Sequence, residues 1–310
     1  MIAEEIRRDF ETLSGMNFQT SGSTGQPKTI FFTKEQIVNS AKRTANYFSI
    51  NAGDAVLCPL PLNYVAGKMM VLRAHLFNWN LEIQEPSALP KIEKEYKFAV
   101  FTPHQFIEIF RRSPEVFSQI EKVLLGGGPF NDPFILRSIH NLPCQVYLGY
   151  GMTETLTHVA VRNLTANEIA YTPMEGVEVR SNENEILSIK DNVLHLDWFE
   201  TDDLVSIEEN RFTIKGRVSS VINSGGVKIF PEILEAKIKH ILHSEFYITG
   251  QQDATLGERV VLVSISDVSD MQRHEIELVL GKIERPKLYV VSKEIEKTSS
   301  GKLIRKKHDL

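Results

Sequence analysis

The chain has 310 residues, 42% of them hydrophobic and 24% charged, which is ordinary for a soluble globular protein with one large and one small domain. Its formal net charge of -5 excludes the broad basic field that nucleic acids or acidic membranes require, so neither is an expected partner. We expect no transmembrane helix or signal peptide. Two distant cysteines make no metal or redox pair, so a cytoplasmic location is expected.

The first residues predict a helix followed by a strand, a loop and a second strand. Residues 2–14 place apolar side chains at helical spacing, and short β-type stretches lie at 16–20 and 28–32. The segment TSGSTGQPK (Thr20–Lys28) joins these two strands. It holds two Gly, four hydroxyl side chains, one Pro and one Lys, which is more than a plain turn needs.

Three textures follow along the rest of the chain. From residue 54 to 155, short apolar strands alternate with helical stretches, which indicates a largely parallel sheet layered with helices. From about residue 175 the pattern becomes β-rich with acidic turns and predicts a meander or small barrel. A third texture, in which helical stretches and apolar strands are mixed, begins at about residue 219, so we predict a large α/β domain over 1–218 and a small α+β domain over 219–310.

The glycine-rich segment Thr20–Lys28 is suited to bind phosphate. Small residues allow backbone N–H groups to converge as an anion nest, while the hydroxyls and the lysine add donors. The alternative is a mobile hairpin tip. The spacing fits neither a Walker A loop nor a GxGxxG turn. The residues predicted to bind phosphate are Thr20, Ser21, Gly22, Ser23, Thr24, Gly25 and Lys28.

Five segments resemble, in the same order, the motifs of adenylate-forming enzymes, the superfamily of acyl-CoA synthetases, peptide-synthetase adenylation domains and luciferases. They are TSGSTGQPK (Thr20–Lys28), YGMTET (Tyr150–Thr155), TDDL (Thr201–Leu204), GRVSSVINSGGVKIFPEILE (Gly216–Glu235) and KTSSGKLIRK (Lys297–Lys306). The resemblance implies an AMP-binding large domain, a mobile C-terminal domain, and the use of ATP, Mg²⁺, coenzyme A and a small carboxylic acid.

The resemblance assigns the nucleotide site to the second and third motifs and the arginine after Gly216. Tyr150, with Gly151, would stack on adenine, and Thr153 would donate to the α-phosphate. Glu154 would bind Mg²⁺, Asp203 would accept hydrogen bonds from the ribose, and Arg217 would reach the ribose or a phosphate. The structural alternatives are a helix N-terminus capped by Thr153, an acidic turn and a solvated arginine.

The resemblance also assigns glycines and a lysine. Gly127 and Gly128 would lie close to adenine and the acyl group, with a strand-end turn as the alternative. Gly225 and Gly226 would line the thiol tunnel. Lys302 would stabilise the negative charge that develops at the bridging oxygen during adenylation, although a basic tail of this kind is otherwise usually solvated.

The chain departs from the family pattern in two places. Many members carry Asp or Lys at the hinge between the domains, where this chain has Ser219. Members also carry a long segment before the phosphate loop, which here begins at Thr20. We therefore expect a truncated N-terminal subdomain and a homodimer that compensates for it.

The segment PLNYVAGKMMVLRAHL (Pro61–Leu76) resembles the family segment that lines the acyl pocket. Tyr64 is expected there, and Lys68 and Arg73 are candidates to bind a second carboxylate, with two solvated helix charges as the alternative. The compact chain and Arg73 resemble the o-succinylbenzoate–CoA ligase branch, whose substrate in menaquinone synthesis is a dicarboxylate. Adenylation of another acid for CoA or a carrier protein, and non-catalytic nucleotide binding, are the alternatives.

Overall fold

The computed structural model describes most of the chain. The described residues are 1–19, 29–130, 132–242, 244–296 and 303–305. The candidate loop Thr20–Lys28 and the candidate catalytic Lys302 lie outside them, so their predicted roles stay predictions. No described helix combines the length and the apolar character that a membrane crossing requires.

The chain begins with a helix and a hairpin, as the sequence predicts. Helix α1 spans Ile2–Thr12, and strands β1 (Gly15–Gln19) and β2 (Thr29–Thr33) pair antiparallel on either side of the phosphate-loop segment. Thr33 then forms a capping box with Gln36 at the start of α2 (Lys34–Phe48).

The large domain is built on a seven-stranded sheet with the strand order β4-β3-β5-β6-β7-β8-β9. Strands β3 to β7 pair in parallel, whereas β8 and β9 add antiparallel at one edge, which confirms the largely parallel sheet. The strands are β3 (Ala55–Cys58), β4 (Asn80–Ile83), β5 (Tyr96–Phe101), β6 (Ile120–Leu125), β7 (Gln145–Gly151), β8 (His158–Asn163) and β9 (Thr172–Pro173). The helices between them are α3 (Val65–Phe77), α4 (Pro103–Arg112) and α5 (Pro133–Ser138).

The β-rich texture forms a separate four-stranded antiparallel meander. Its strands follow one another in sequence order, which confirms the meander predicted from the acidic turns and short apolar runs. They are β10 (Val177–Ser181), β11 (Ile186–Asp191), β12 (Leu196–Glu208) and β13 (Arg211–Arg217).

The C-terminal residues form a five-stranded sheet with two helices and their own apolar core. Every strand of this sheet follows residue 219, in agreement with a small α+β unit, although the domain boundary itself stays a prediction. The elements are β14 (Ile222–Ser224), β15 (Val227–Ile229), α6 (Pro231–Ile238), β16 (Phe246–Asp253), β17 (Gly257–Ser264), α7 (Asp270–Val279) and β18 (Leu288–Val291).

Candidate active site

Three of the predicted nucleotide-site residues meet at the junction of two sheets. Asp203 and Arg217 lie opposite each other on β12 and β13, and Arg217 Nε is 3.3 Å from Asp203 Oδ1. Tyr150, near the end of β7, donates its O–H to Asp203 Oδ2 at 2.6 Å. A carboxylate can accept about four hydrogen bonds, so Asp203 can still accept hydrogen bonds from two neighbouring hydroxyl groups of a ligand.

The phenol of Tyr150 is fixed by an aromatic cluster. Tyr150 is 8% exposed, and its ring packs edge-on against Phe212 with the centroids 5.1 Å apart. Tyr171 stacks on Phe212 at 5.4 Å. Burial, together with the neighbouring Asp203 carboxylate, raises the pKa of Tyr150 well above its usual value. The phenol therefore stays a hydrogen-bond donor that orients Asp203, while stacking on adenine stays a prediction.

The second motif folds as a tight turn. Residues 153–155 make one 3₁₀ turn whose N-cap is Met152, so the alternative of a helix capped by Thr153 is wrong. Glu154 is exposed there, which suits a carboxylate that shares Mg²⁺ with phosphate oxygens. Gly151 is required on steric grounds, because a Cβ at this position would lie 2.2 Å from the Thr157 carbonyl oxygen.

The turn is followed by backbone strain. Leu156 is fully buried and has φ 62° and ψ −50°, and the Thr157 N–H donates to the Thr155 carbonyl across it at 2.7 Å. This is a γ-turn of the rare, strained kind. The hydroxyl of Thr155 stabilises it by donating to the Thr157 carbonyl at 2.7 Å. Strain of this kind is concentrated at functional sites in proteins.

The predicted glycines have two different structural settings. Beside Gly127 (φ 89°) and Gly128, a Cβ would meet no atom within 4 Å, so the backbone there borders open space that a ligand can approach. Gly225 and Gly226 have φ 56° and 80° and form the two-residue turn between β14 and β15. A type I′ hairpin needs positive φ at both positions, so these two glycines have a local structural cause as well as a predicted role at the thiol tunnel.

Arg73 is the predicted substrate residue with the most unusual environment. It is only 2% exposed, so the alternative of a solvated helix charge is wrong for it. Its guanidinium donates to Thr157 Oγ1 at 3.3 Å, while Nε has no hydrogen-bond partner. No carboxylate of the described residues lies within ion-pair distance of it. Burial, reinforced by the charge of Arg43, lowers the pKa of Arg73 to about 9.

The structure separates the two candidate cations of α3. Lys68 lies about 140° from Arg73 around the helix. Lys68 Nζ donates to the Asn17 carbonyl at 3.2 Å and lies 5.1 Å from the Phe18 ring centroid, on the β1 side. Tyr64 is half-buried at the N-cap of the helix. Arg73 instead faces the strained turn, so the two cations do not converge on one carboxylate.

A buried polar cluster around Arg73 has no counterpart among the sequence predictions. Ser40 Oγ lies 3.1 Å from Thr157 Oγ1, and Thr44 Oγ1 lies 3.3 Å from His158 Nε2. Burial and the two nearby guanidinium groups hold the pKa of His158 well below its usual value, so the imidazole is neutral. Two signals point to this cluster: Thr157 is the second residue after the YGMTET motif, and Ser40 and Thr44 have the i, i+4 spacing of one helix face.

Arg43 contributes the second buried cation but is neutralised. It binds both carboxylate oxygens of Asp191, at 2.9 and 2.8 Å, and both side chains are almost fully buried. Among the residues that the structure describes, the region around the strained turn therefore contains two buried guanidinium groups and one buried carboxylate. The net positive charge rests on Arg73.

Asp202 has a defined role at the predicted hinge. It directly precedes Asp203 in the TDDL motif. In the structure its carboxylate accepts hydrogen bonds from the backbone N–H of Ser219, at 3.2 Å, and from the Ser219 hydroxyl. The predicted hinge position, 219, therefore carries a hydroxyl, and the carboxylate that contacts it comes from Asp202.

Comparisons with known proteins agree with this architecture. The profile of the family described as AMP-binding enzyme matches residues 15–195. The 2-succinylbenzoate–CoA ligase of Listeria monocytogenes is 26% identical over 93% of this chain and 68% of its own length. The ligase of the same name from Salmonella typhimurium is 27% identical over 79% of this chain and 56% of its own length, so the chain spans about half to two thirds of these relatives.

Two solved structures illustrate the likeness in fold. An acyl-CoA synthetase (AMP-forming)/AMP-acid ligase II-like protein from Dyadobacter fermentans is 32% identical, with a TM-score of 0.65, over 97% of this chain and 91% of that one. The o-succinylbenzoate CoA synthetase of Bacillus subtilis, in complex with its acyl-adenylate intermediate, has a TM-score of 0.80. It is 21% identical over 95% of this chain and 70% of that one, so it supports the fold.

Proposed function

Because the chain belongs to the AMP-binding enzyme family, we propose that it is an ATP-dependent acid–CoA ligase that converts o-succinylbenzoate into its CoA thioester. Two relatives named for this activity match most of the chain at 26% and 27% identity. The product would be o-succinylbenzoyl-CoA, formed through an acyl-adenylate as a step of menaquinone synthesis.

The observation that carries this proposal is the buried, positively charged Arg73. An isolated charge in a protein interior is costly unless it finds a partner of opposite sign. A dicarboxylate supplies one, because one carboxylate can react at phosphorus while the other pairs with Arg73. The N–H groups of a guanidinium match the two oxygens of a carboxylate, and Thr157 keeps the guanidinium oriented.

The nucleotide residues would divide the adenylation step among them. Asp203, held by Tyr150 and Arg217, accepts hydrogen bonds from the ribose hydroxyls. Thr153 would donate to the α-phosphate, and Glu154 would hold Mg²⁺, whose charge would offset that of the phosphate groups. The substrate carboxylate attacks the α-phosphorus and pyrophosphate leaves. The ammonium of Lys302 stabilises the charge that develops on the oxygens.

The second half-reaction exchanges AMP for coenzyme A. The thiolate attacks the carbonyl carbon of the acyl-adenylate, a new carbon–sulfur bond forms, and AMP leaves with the electron pair of the broken bond. Gly225 and Gly226 are proposed to allow the thiol to approach closely. Rotation of the C-terminal domain at Ser219 would exchange Lys302 for this thiol channel between the two steps.

The test is acid-dependent ATP–pyrophosphate exchange. We expect exchange with o-succinylbenzoate and much less with benzoate, which lacks the second carboxylate. Arg73→Ala should abolish the preference for o-succinylbenzoate, whereas Lys42→Ala, which removes an exposed cation on α2, should keep it. Exchange with benzoate but not o-succinylbenzoate would favour another acid, and exchange with no acid would favour a nucleotide-binding protein.

The finer statements on partners and location are also proposals. We propose that the chain acts in the cytoplasm as a homodimer. The two cysteines, Cys58 and Cys144, are free and buried, as in a reducing compartment. Light scattering coupled to size-exclusion chromatography tests the dimer, since the monomer mass is 35.2 kDa.

A further inference from the structure

The turn that carries Thr153 and Glu154 is built around the side chain of the next residue, Thr155. Thr155 is fully buried, whereas Thr153 is half-buried and Glu154 is exposed. Within the part of the chain that the structure describes, no hydrogen bond or ion pair holds the Thr153 hydroxyl or the Glu154 carboxylate. Both groups are therefore free to contact a ligand, and their positions depend on the backbone of the turn.

The Thr155 hydroxyl connects the two ends of this turn. Its Oγ1 accepts a hydrogen bond from the Met152 N–H at 3.0 Å. The same oxygen lies 2.7 Å from the Thr157 carbonyl oxygen and 3.0 Å from the Met152 carbonyl oxygen. A hydroxyl has a single proton to donate. Because the Met152 carbonyl already accepts the Thr155 N–H at 3.2 Å, this proton goes to the nearer Thr157 carbonyl.

Both ends of the turn are attached to elements that the rest of the fold holds in place. Met152 directly follows β7, which pairs with β8. At the other end, the Thr157 hydroxyl lies 3.3 Å from Arg73 NH2 and 3.1 Å from Ser40 Oγ. The Thr155 hydroxyl therefore joins the turn to two fixed points, one before it and one after it.

The turn needs this connection because its backbone is strained at Leu156. A φ of 62° is rare for a residue with a side chain, and such a conformation persists only where the surrounding structure holds it. The Leu156 side chain is held by a buried apolar cluster that it shares with α3. The Thr155 hydroxyl holds the backbone on both sides of Leu156, so its loss lets the turn relax and carries Thr153 and Glu154 with it.

We infer that Thr155 is the positioning residue for Thr153 and Glu154, and that its hydroxyl is required for the turn to bind the phosphates and Mg²⁺ of ATP. This inference rests on the nucleotide-binding part of the proposed function. The hydroxyl acts on the same turn that carries the two ligand-binding residues, so no longer chain of contacts is involved. Misplacing such a group by about 1 Å can cost a hundredfold in rate.

Calorimetric titration of the full chain tests the inference without relying on turnover. Thr155→Val keeps the shape of the side chain and removes only the hydroxyl. Its Kd for ATP in the presence of Mg²⁺ should rise at least about fivefold. Its Kd for adenosine, which has no phosphate and is proposed to contact Asp203, should stay within about twofold of wild type. A general loss of structure would weaken the binding of both ligands.

Exchange assays give the second measurement and the controls. Thr155→Val should lower the kcat of o-succinylbenzoate-dependent ATP–pyrophosphate exchange at least about tenfold, whereas Thr155→Ser, which keeps the hydroxyl, should stay within about threefold of wild type. Thr165→Val is the matched control. It removes a threonine hydroxyl that accepts the Val146 N–H at 3.2 Å, near the other end of β7, and it should match wild type in titration and exchange.

Three results would overturn the inference. In the first, Thr155→Val binds ATP with Mg²⁺ as tightly as Thr165→Val does. In the second, its affinities for ATP and adenosine fall in parallel, and in the third Thr155→Ser is as impaired as Thr155→Val. A wild-type chain that binds ATP but exchanges with no acid overturns the ligase proposal alone, since the titrations still decide the role of Thr155. A wild-type chain that does not bind ATP overturns both.

Discussion

Replacing Arg73 by methionine should stabilise the protein and destroy its selectivity for a dicarboxylate. Burial lowers the pKa of Arg73 to about 9, far below the usual value of a guanidinium, which corresponds to about 5 kcal/mol of destabilisation of the charged form in the fold. The depressed pKa of a cation means that this destabilisation is fully present below pH 9 and is relieved as the pH rises above 9. Methionine fills a similar volume without a charge, at the loss of the hydrogen bond to Thr157.

The net gain for Arg73→Met should be on the order of 1–4 kcal/mol at neutral pH. Urea unfolding of the ligand-free protein measures it as a rise in the transition midpoint at unchanged m value. Wild type should gain stability when o-succinylbenzoate is added, whereas the variant should not, because its counter-charge for the second carboxylate is gone. A variant that is less stable than wild type by several kcal/mol and still responds to o-succinylbenzoate would refute the reasoning.

Three further substitutions test other parts of the account. Asp203→Asn removes a charge that binds Tyr150 and should weaken ATP binding about tenfold to a hundredfold by calorimetric titration; unchanged affinity would argue against a ribose contact. Asp202→Ala removes the carboxylate that binds Ser219 and should change the free energy of unfolding by less than about 1 kcal/mol. It should nevertheless alter the ratio of the adenylation and thioester-forming rates in stopped-flow assays. An unchanged ratio would contradict a hinge role. Burial raises the pKa of Glu235 to about 7, so the folded protein binds this proton more tightly than the unfolded chain does. The free energy of unfolding of wild type should therefore fall between pH 4.5 and 7 by up to about 3 kcal/mol more than that of Glu235→Gln. Parallel pH curves for the two proteins would exclude this effect.

Much of the architecture follows from local patterns in the sequence. The capping box of Thr33 and Gln36, the alternation of strands and helices, and the acidic turns of the meander are each encoded within a few residues. The meeting of Tyr150, Asp203 and Arg217 is also predictable, because each belongs to a recognisable motif.

The rest depends on contacts between distant parts of the chain. Thr157 meets Arg73 across 84 positions, and Arg305 meets Glu235 across 70. No local pattern says that Arg73 is buried without a carboxylate, since the same residue on an exposed helix face would look identical in sequence. The contact between Asp202 and Ser219 likewise needs the register of β12 and β13 before it can be seen.

A single-turnover experiment tests the central claim most directly. The protein is mixed with ATP, Mg²⁺ and o-succinylbenzoate, quenched, and analysed by mass spectrometry before and after coenzyme A is added. The account predicts an enzyme-bound acyl-adenylate in stoichiometric amount, which coenzyme A converts into o-succinylbenzoyl-CoA and AMP. ATP that remains intact, or an adenylate that forms equally well with benzoate, would contradict it.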